Sequence, residues 1–283
     1  MKRLFVVDLD DTLLCNGALP PNAVEVWRRI VLSGAPVTIA TARGLRAATA
    51  PLGDAVPRLP IVALNGAVVA TCDGSQPDVQ RIPLEAVDPI CRLADEAGAI
   101  PCLLATDGRN DSVFVPPCTD AFTDWTLNDA GYFKAHAIVR SPAPDHRTDV
   151  VRVVLCTTLD AAQRLHRRFE NEFSGLAGLI IPSRGKPGHA WLEIGAANAT
   201  KAHGISHVAS LLQVSLQDVV YYGDAASDLG AMAIVGEAVA VADAEHDVRA
   251  AAHRIIGPAE SGAVAFDLLE RLNPGGDIRI AQT

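Results

Sequence analysis

The feature that most constrains this chain is the stretch Leu4-Phe5-Val6-Val7-Asp8-Leu9-Asp10-Asp11-Thr12-Leu13-Leu14. Four apolar residues in a row, two of them β-branched, predict a buried strand. The strand runs directly into three carboxylates within four positions. Crowded like charges raise one another's cost of ionising. Such a cluster is kept either as a solvated turn capped by Asp and Thr or with a cation among its oxygens. Hard oxygen donors of this kind suit Mg²⁺, which binds through one or two carboxylates together with water and phosphate oxygens. In an open α/β sheet the carboxyl end of a strand is also where ligands bind.

Composition agrees with a sheet covered on both faces. Hydrophobic residues make up 49% of the 283 positions while aromatics supply only 5%, so the core is built from Ala, Val, Leu and Ile, as buried parallel strands are. The formal charge of −9, with no compensating Lys/Arg stripe, argues against a nucleic-acid partner. An anion must then be held locally, by a metal or a few placed cations. Cys15, Cys72, Cys91, Cys102, Cys118 and Cys156 include no C-x-x-C pair, which excludes a zinc-type spacing and a disulfide framework. The first residues reach carboxylates too soon for a signal peptide, and no apolar run is long enough to span a bilayer. The expectation is a cytoplasmic protein without a membrane partner.

Along the chain, Asn22 is expected to cap a helix that ends before Gly34. A strand at 35–40 stops at Thr41-Ala42-Arg43-Gly44, a strand-to-helix junction suited to an anion. A third strand at 60–64 meets Asn65-Gly66, a turn signal. Strand and helix alternate as in a parallel α/β sheet. From about residue 82 to 189 the character changes to helix 84–97, strands at 100–105, 112–115, 151–156 and 179–182, and helix 159–172, with polar turns at 107–111 and 183–189. The stretch 116–149, rich in Pro, Asp and Thr, has no assignable period. This run reads as an inserted α+β unit with antiparallel strands. The last third resumes the α/β alternation, with a strand at 191–194, a helix opening at Ala199-Thr200-Lys201, and a buried strand at 218–222. That strand ends in Gly223-Asp224-Ala225-Ala226-Ser227-Asp228. Two strand ends thus carry carboxylates, Asp8/Asp10 and Asp224/Asp228, and Lys201 stands at a helix start between strands.

With these motifs in their order, the sequence resembles the haloacid dehalogenase superfamily of phosphatases, in its Cof-type branch. VVDLDDTLL is similar to the first motif, with Asp8 and Asp10; IATAR to the second, with Thr41; Lys201 in LEIGAANATKAHGI to the third; YYGDAASDLGAM to the fourth, with Asp224 and Asp228. ALNGAVV is similar to the family's Asn-Gly segment. Ala42 stands where the family usually has Gly, and Ser227 where it usually has Asn, a shorter side chain that still donates and accepts.

The resemblance implies a Rossmann-like parallel core over 1–81 and 190–283 with an α/β cap over 82–189. It implies an Mg²⁺-dependent hydrolase of a small phosphorylated metabolite, such as a sugar phosphate; the sequence does not choose between monomer and homodimer. Asp8 is then the nucleophile that forms an aspartyl-phosphate, and Asp10 the general acid and base. The metal is held by Asp8, Asp10 (through its backbone carbonyl) and Asp224, with Asp228 on a metal-bound water or orienting Lys201. Thr41 and Lys201 hold the phosphoryl group. Arg43, Asn65, Gly66, Ser227 and Arg184 are candidate substrate contacts, with Asp107, Arg109, Asn110, Lys186 and His189 as further polar turn residues. Two alternatives share the scaffold: a phosphomutase of a sugar phosphate, and a non-catalytic sensor of a phosphorylated ligand.

Overall fold

The computed structural model describes residues 3–71, 75–76, 78–106, 111–128, 133, 136–141, 150–183 and 185–273. Cys72, Asp107, Arg109, Asn110 and Arg184 lie outside the described residues. The chain divides into two compact units, one of Met1–Ala42, Ala48–Asn65 and Lys201–Thr283, the other of Arg43–Ala47 and Gly66–Thr200.

The chain begins in the first unit with β1 (Leu4–Val7), α1 (Val24–Leu32), β2 (Val37–Ile39) and, beyond α2 (Leu45–Thr49), β3 (Ile61–Ala63). Every residue of β1, β2 and β3 is buried, which is why these strands read as unbroken apolar runs. Helix α1 turns Val26, Trp27, Ile30 and Val31 inward. The Trp27 indole N–H donates to the Ala55 carbonyl at 2.9 Å. Asn22 does not cap this helix: the helix starts at Val24 without a side-chain cap, and Asn22 Nδ2 donates instead to the Ser261 carbonyl at 2.9 Å.

The second unit holds β4 (Val68–Ala70), β5 (Asp78–Val79), α3 (Leu84–Glu96), β6 (Ile100–Thr106), β7 (Asp111–Val115), α4 (Ala121–Asn128), β8 (Ala137–Arg140), β9 (Val150–Thr158), α5 (Leu159–Glu172), β10 (Leu176–Pro182) and β11 (His189–Ala196). Its six-stranded sheet has the order β10-β11-β9-β6-β7-β8, antiparallel except for the β7–β8 pair. Helices α3 and α5 give Val87, Ile90, Leu93, Leu165 and Phe169 to an apolar cluster with strand residues of one sheet face.

Two sequence expectations change here. The stretch 116–149 contains a helix, α4, and a strand, β8. The strand at 191–194 belongs to this antiparallel sheet, with β9 and β10 on either side. An apolar run buried on both faces does not reveal whether its neighbours are parallel or antiparallel, so that strand's allegiance was not legible.

The chain returns to the first unit with α6 (Lys201–Leu211), β12 (Val219–Gly223), α7 (Leu229–Met232), β13 (Glu237–Ala240), α8 (His246–Ala251), β14 (Arg254–Ile255) and α9 (Ala263–Leu272). The five strands β14-β13-β12-β1-β2 lie in that order and every pair is parallel. Beyond β2, an Ala40–Val62 parallel bridge continues the pattern to β3. The carboxyl ends of β1, β2 and β12 therefore open on one edge of the sheet. Among the described residues no helix is long and apolar enough to cross a membrane.

Candidate active site

The parallel register brings the acidic segments together. Val7 pairs with Tyr222, and the Asp8 N–H donates to the Tyr222 carbonyl at 3.0 Å, so Asp8 leaves β1 one residue past that pair and Asp224 leaves β12 two residues past it. Beyond Asp8 the chain turns back: the Leu9 carbonyl accepts from the N–H groups of Thr12, Leu13 and Leu14 at 3.4, 3.0 and 2.7 Å. Asp11 takes a left-handed conformation at φ 55° to close this turn. The turn presents Thr12, whose Oγ1 donates to Asp224 Oδ1 at 2.7 Å. Asp10 sits half-buried in the same turn.

Lys201 opens α6. Three residues on, a Cβ on Gly204 would run into Val62 of β3, so the absence of a side chain there lets the first turn of the helix lie directly on the sheet. The Lys201 ammonium is buried and donates to Asp8 Oδ1 and to Asp228 Oδ1, each at 2.6 Å. Asp228 is held on every side. Tyr221 OH donates to its Oδ1 at 2.6 Å, while the N–H groups of Asp224 and Ala225 donate to its Oδ2 at 2.9 and 3.0 Å. Gly223 makes room for it, since a Cβ there would lie 2.6 Å from Asp228 Oδ2. Thr41 is buried past the end of β2; its N–H donates to Val62 O and its carbonyl accepts from the Asn65 N–H, both at 2.9 Å.

Asp8, Asp224 and Asp228 each offer an oxygen within 4.8 Å of the others. One ammonium among three carboxylates leaves a surplus of negative charge. Burial pushes Asp8 well above the ordinary carboxylate range, against the pull of Lys201 and with the push of Asp228. Burial likewise raises Asp224 to about 6, opposed by the Thr12 hydroxyl and helped by Asp228. Lys201 is lowered by burial but raised further by Asp8 and Asp228, and so stays charged. A hard divalent cation fits this donor set, because its charge would offset the burial, and the repulsion from Asp228, that raise Asp8 and Asp224. Those two carboxylates could hold it. The oxygens of Asp228 already receive the Lys201 ammonium, the Tyr221 hydroxyl and two backbone N–H groups.

The remaining candidates are placed as follows. Asn65 lies in the first unit with a left-handed backbone at φ 53°, and its buried Oδ1 has no hydrogen-bond partner among the described residues. Ser227 is exposed in the 3₁₀ turn Ala226–Asp228. Arg43 belongs to the second unit, where its guanidinium donates to the Ala47 carbonyl at 3.0 Å. Gly66 is in the second unit too. At φ +91° it packs on Thr200, whose carbonyl a Cβ would strike, so its place is explained by close backbone approach to the residue before Lys201. In that unit Lys186 lies 5.6 Å over the Trp125 ring, and the His189 ring lies tilted by 32° against Phe122 with 4.6 Å between centroids. Sequence reading missed Thr12 and Tyr221. Thr12 directly follows the acidic run, and Tyr221 is one of two tyrosines in an otherwise apolar strand; both signals were present but faint.

The family model for haloacid dehalogenase-like hydrolases matches residues 5–268. Similar solved structures include a Bacteroides thetaiotaomicron phosphatase of the haloalkanoate (HAD) superfamily, 22% identical over 95% of this chain and 94% of that one, with a TM-score of 0.75. A Thermotoga maritima protein is 20% identical over 96% and 97%, with a TM-score of 0.76. A subclass IIB sugar phosphatase of the same superfamily is 19% identical over 94% and 97%, with a TM-score of 0.71. At these identities the likeness is one of fold. No curated protein matches the chain.

Proposed function

Because the chain belongs to the haloacid dehalogenase-like hydrolase family, we propose that it is an Mg²⁺-dependent phosphatase acting on a small phosphorylated metabolite through an aspartyl-phosphate on Asp8. The inserted unit serves as its cap. The observation that carries this reading is the Lys201 ammonium shared between Asp8 and Asp228 at 2.6 Å each, beside Asp224. A buried lysine bound to two carboxylates, one of them anchored by a tyrosine hydroxyl and two backbone N–H groups, is fixed in place, as a catalytic cation must be.

Lys201 engages one oxygen of Asp8 and leaves the other to attack phosphorus in line. The Oδ–P bond forms as the ester P–O bond breaks, and Asp10 gives its proton to the departing alkoxide. Lys201 and Thr41 steady the phosphoryl oxygens. In the second half Asp10, now a carboxylate, takes a proton from water. The water oxygen attacks phosphorus, the Oδ–P bond breaks, and phosphate leaves with Asp8 restored. Asp8, Asp224 and the Asp10 carbonyl would hold Mg²⁺, which when bound would supply positive charge that lets a carboxylate approach a phosphate. Asp228 and Tyr221 act by positioning Lys201. A sugar phosphate is the favoured ester, in line with the sugar phosphatase among the similar structures.

The test is phosphate release from a panel of phosphomonoesters with Mg²⁺ and with chelator. Mg²⁺-dependent release supports the hydrolase. Transfer that needs a bisphosphate activator would replace it with a mutase, and tight binding without release with a sensor.

A further inference from the structure

The six-stranded sheet of the second unit ends on β10, with β11 on one side of it and, among the described residues, no strand on the other. Its seven residues, LAGLIIP, include no charged side chain, and its register with β11 runs unbroken from Leu176 to Pro182. Edge strands are ordinarily kept from other strands by shortness, a charge, a bulge or proline; β10 has only Pro182, at its end. The hydrogen-bond phase of this edge follows from its flanks. The Ser183 N–H donates to the His189 carbonyl at 2.9 Å, and the Ala197 N–H to the Gly175 carbonyl at 3.0 Å. In an antiparallel pair such bonds fall on every second residue, so Ala177, Leu179 and Ile181 turn their backbone groups to β11. Leu176, Gly178, Ile180 and Pro182 turn theirs outward. His166 of α5 agrees with this phase, since its ring reaches the Gly178 carbonyl at 3.0 Å.

Side chains alternate with the backbone. Leu176 and Ile180 pack on the apolar cluster beneath α5, while Leu179 points to the other face and is 50% exposed. A row of outward N–H and C=O groups with apolar side chains is a template for a further strand. A second copy of β10 supplies that strand. Laid antiparallel, it offers an acceptor to each outward donor, and with no charge on either strand no like charges meet. Beside the edge, α5 exposes Arg167 and Glu170, the latter 3.5 Å from His166. A two-fold axis runs two such helices antiparallel, which brings Arg167 of one copy to the Glu170 side of the other. The charges there are complementary. The opposite edge strand, β8, has four residues and ends in Arg140; pairing β10 with it would be head-to-tail and would not close.

We infer that the protein forms a homodimer in which β10 pairs antiparallel with its counterpart across a two-fold axis beside Leu179, joining two six-stranded sheets into one. The inference is independent of the phosphatase reading. In this arrangement Leu179 faces Leu179 of the second copy in a non-hydrogen-bonded pair, where side chains lie closest. Sedimentation velocity of the full chain from about 1 to about 100 µM should show monomer passing to dimer. Amide exchange, read by NMR, should slow with concentration at Leu176, Gly178 and Ile180. The amides of Ala177, Leu179 and Ile181, already bonded to β11, should stay protected throughout. Leu179→Lys and Leu179→Glu each set like charges face to face and should raise the dimer Kd by about tenfold or more. An equal mixture of the two variants should recover a dimer as tight as wild type. Leu179 is half exposed, so both variants should keep the Tm of dilute wild type; if either fails to fold, amide exchange in wild type still decides. A wild type that stays monomeric or grows beyond the dimer overturns the inference. So does a dimer that both substitutions leave intact, a pair of folded variants that do not recombine, or outward amides that exchange freely in the dimer.

Discussion

The Lys201 ammonium lies 2.6 Å from both Asp8 and Asp228, and all three side chains are buried. Removing one partner from a buried ionic group leaves the others uncompensated. Lys201→Met should therefore lower stability by about 3–5 kcal/mol, read by denaturant unfolding, and reduce kcat by about 10²–10³-fold. Normal turnover in a stable Lys201→Met enzyme would remove the lysine from the mechanism.

Tyr221 reaches the same oxygen of Asp228 that Lys201 does. Tyr221→Phe keeps the ring and deletes one hydrogen bond to a charged group, costing about 1.5–3 kcal/mol of stability. Its loss of kcat should be smaller than that of Lys201→Met, because the lysine retains both carboxylates. An equal loss would mean that the hydroxyl touches substrate.

Gly223→Ala tests how closely Asp228 must sit. The added methyl would stand 2.6 Å from Oδ2 and 2.7 Å from Cγ of Asp228, forcing the carboxylate off its place and Lys201 with it. Displacements of this size cost about a hundredfold in rate. The drop should appear in kcat rather than KM.

Metal binding should depend on pH in one direction. Asp224 is raised to about 6, so at about pH 5 it is protonated and a cation must displace that proton. The Tm increase produced by Mg²⁺ should be small near pH 5 and larger near pH 7.5, by differential scanning fluorimetry. Without metal the sign is opposite: a carboxyl raised on folding binds more protons folded than unfolded, so its contribution to stability falls as pH rises from about 4 to about 6. A Tm increment equal at both pH values would contradict the role given to Asp224.

The sequence displayed the site better than the scaffold around it. Asp8, Lys201, Asp224 and Asp228 were legible because each sits where a short apolar run or a helix start meets a charge, and such junctions are local. Thr12 and Tyr221 were not, since their partners are distant in sequence or lie beyond a turn, and a hydroxyl has many uses. Trp191–Ile194 pairs within the antiparallel sheet and not with the α/β strands that follow it, and its burial on both faces erases the alternation that would show this in the sequence. Helix α4 escaped notice among Pro, Asp and Thr residues whose own periodicity is weak; it is fixed by tertiary contacts such as the Trp191 indole N–H donated to Thr126 Oγ1 at 3.1 Å.

The most direct test of the central claim is to trap the phosphoryl group on Asp8. Enzyme mixed with Mg²⁺ and its best ester is quenched in acid and reduced with borohydride, which converts an aspartyl-phosphate to homoserine. The peptide spanning Asp8 is then read by mass spectrometry, with Asp8→Asn as control. Homoserine at Asp8 in wild type alone, formed only with substrate, is the predicted result. An unmodified Asp8 in an enzyme caught turning over, or turnover that persists in Asp8→Asn, would contradict the account.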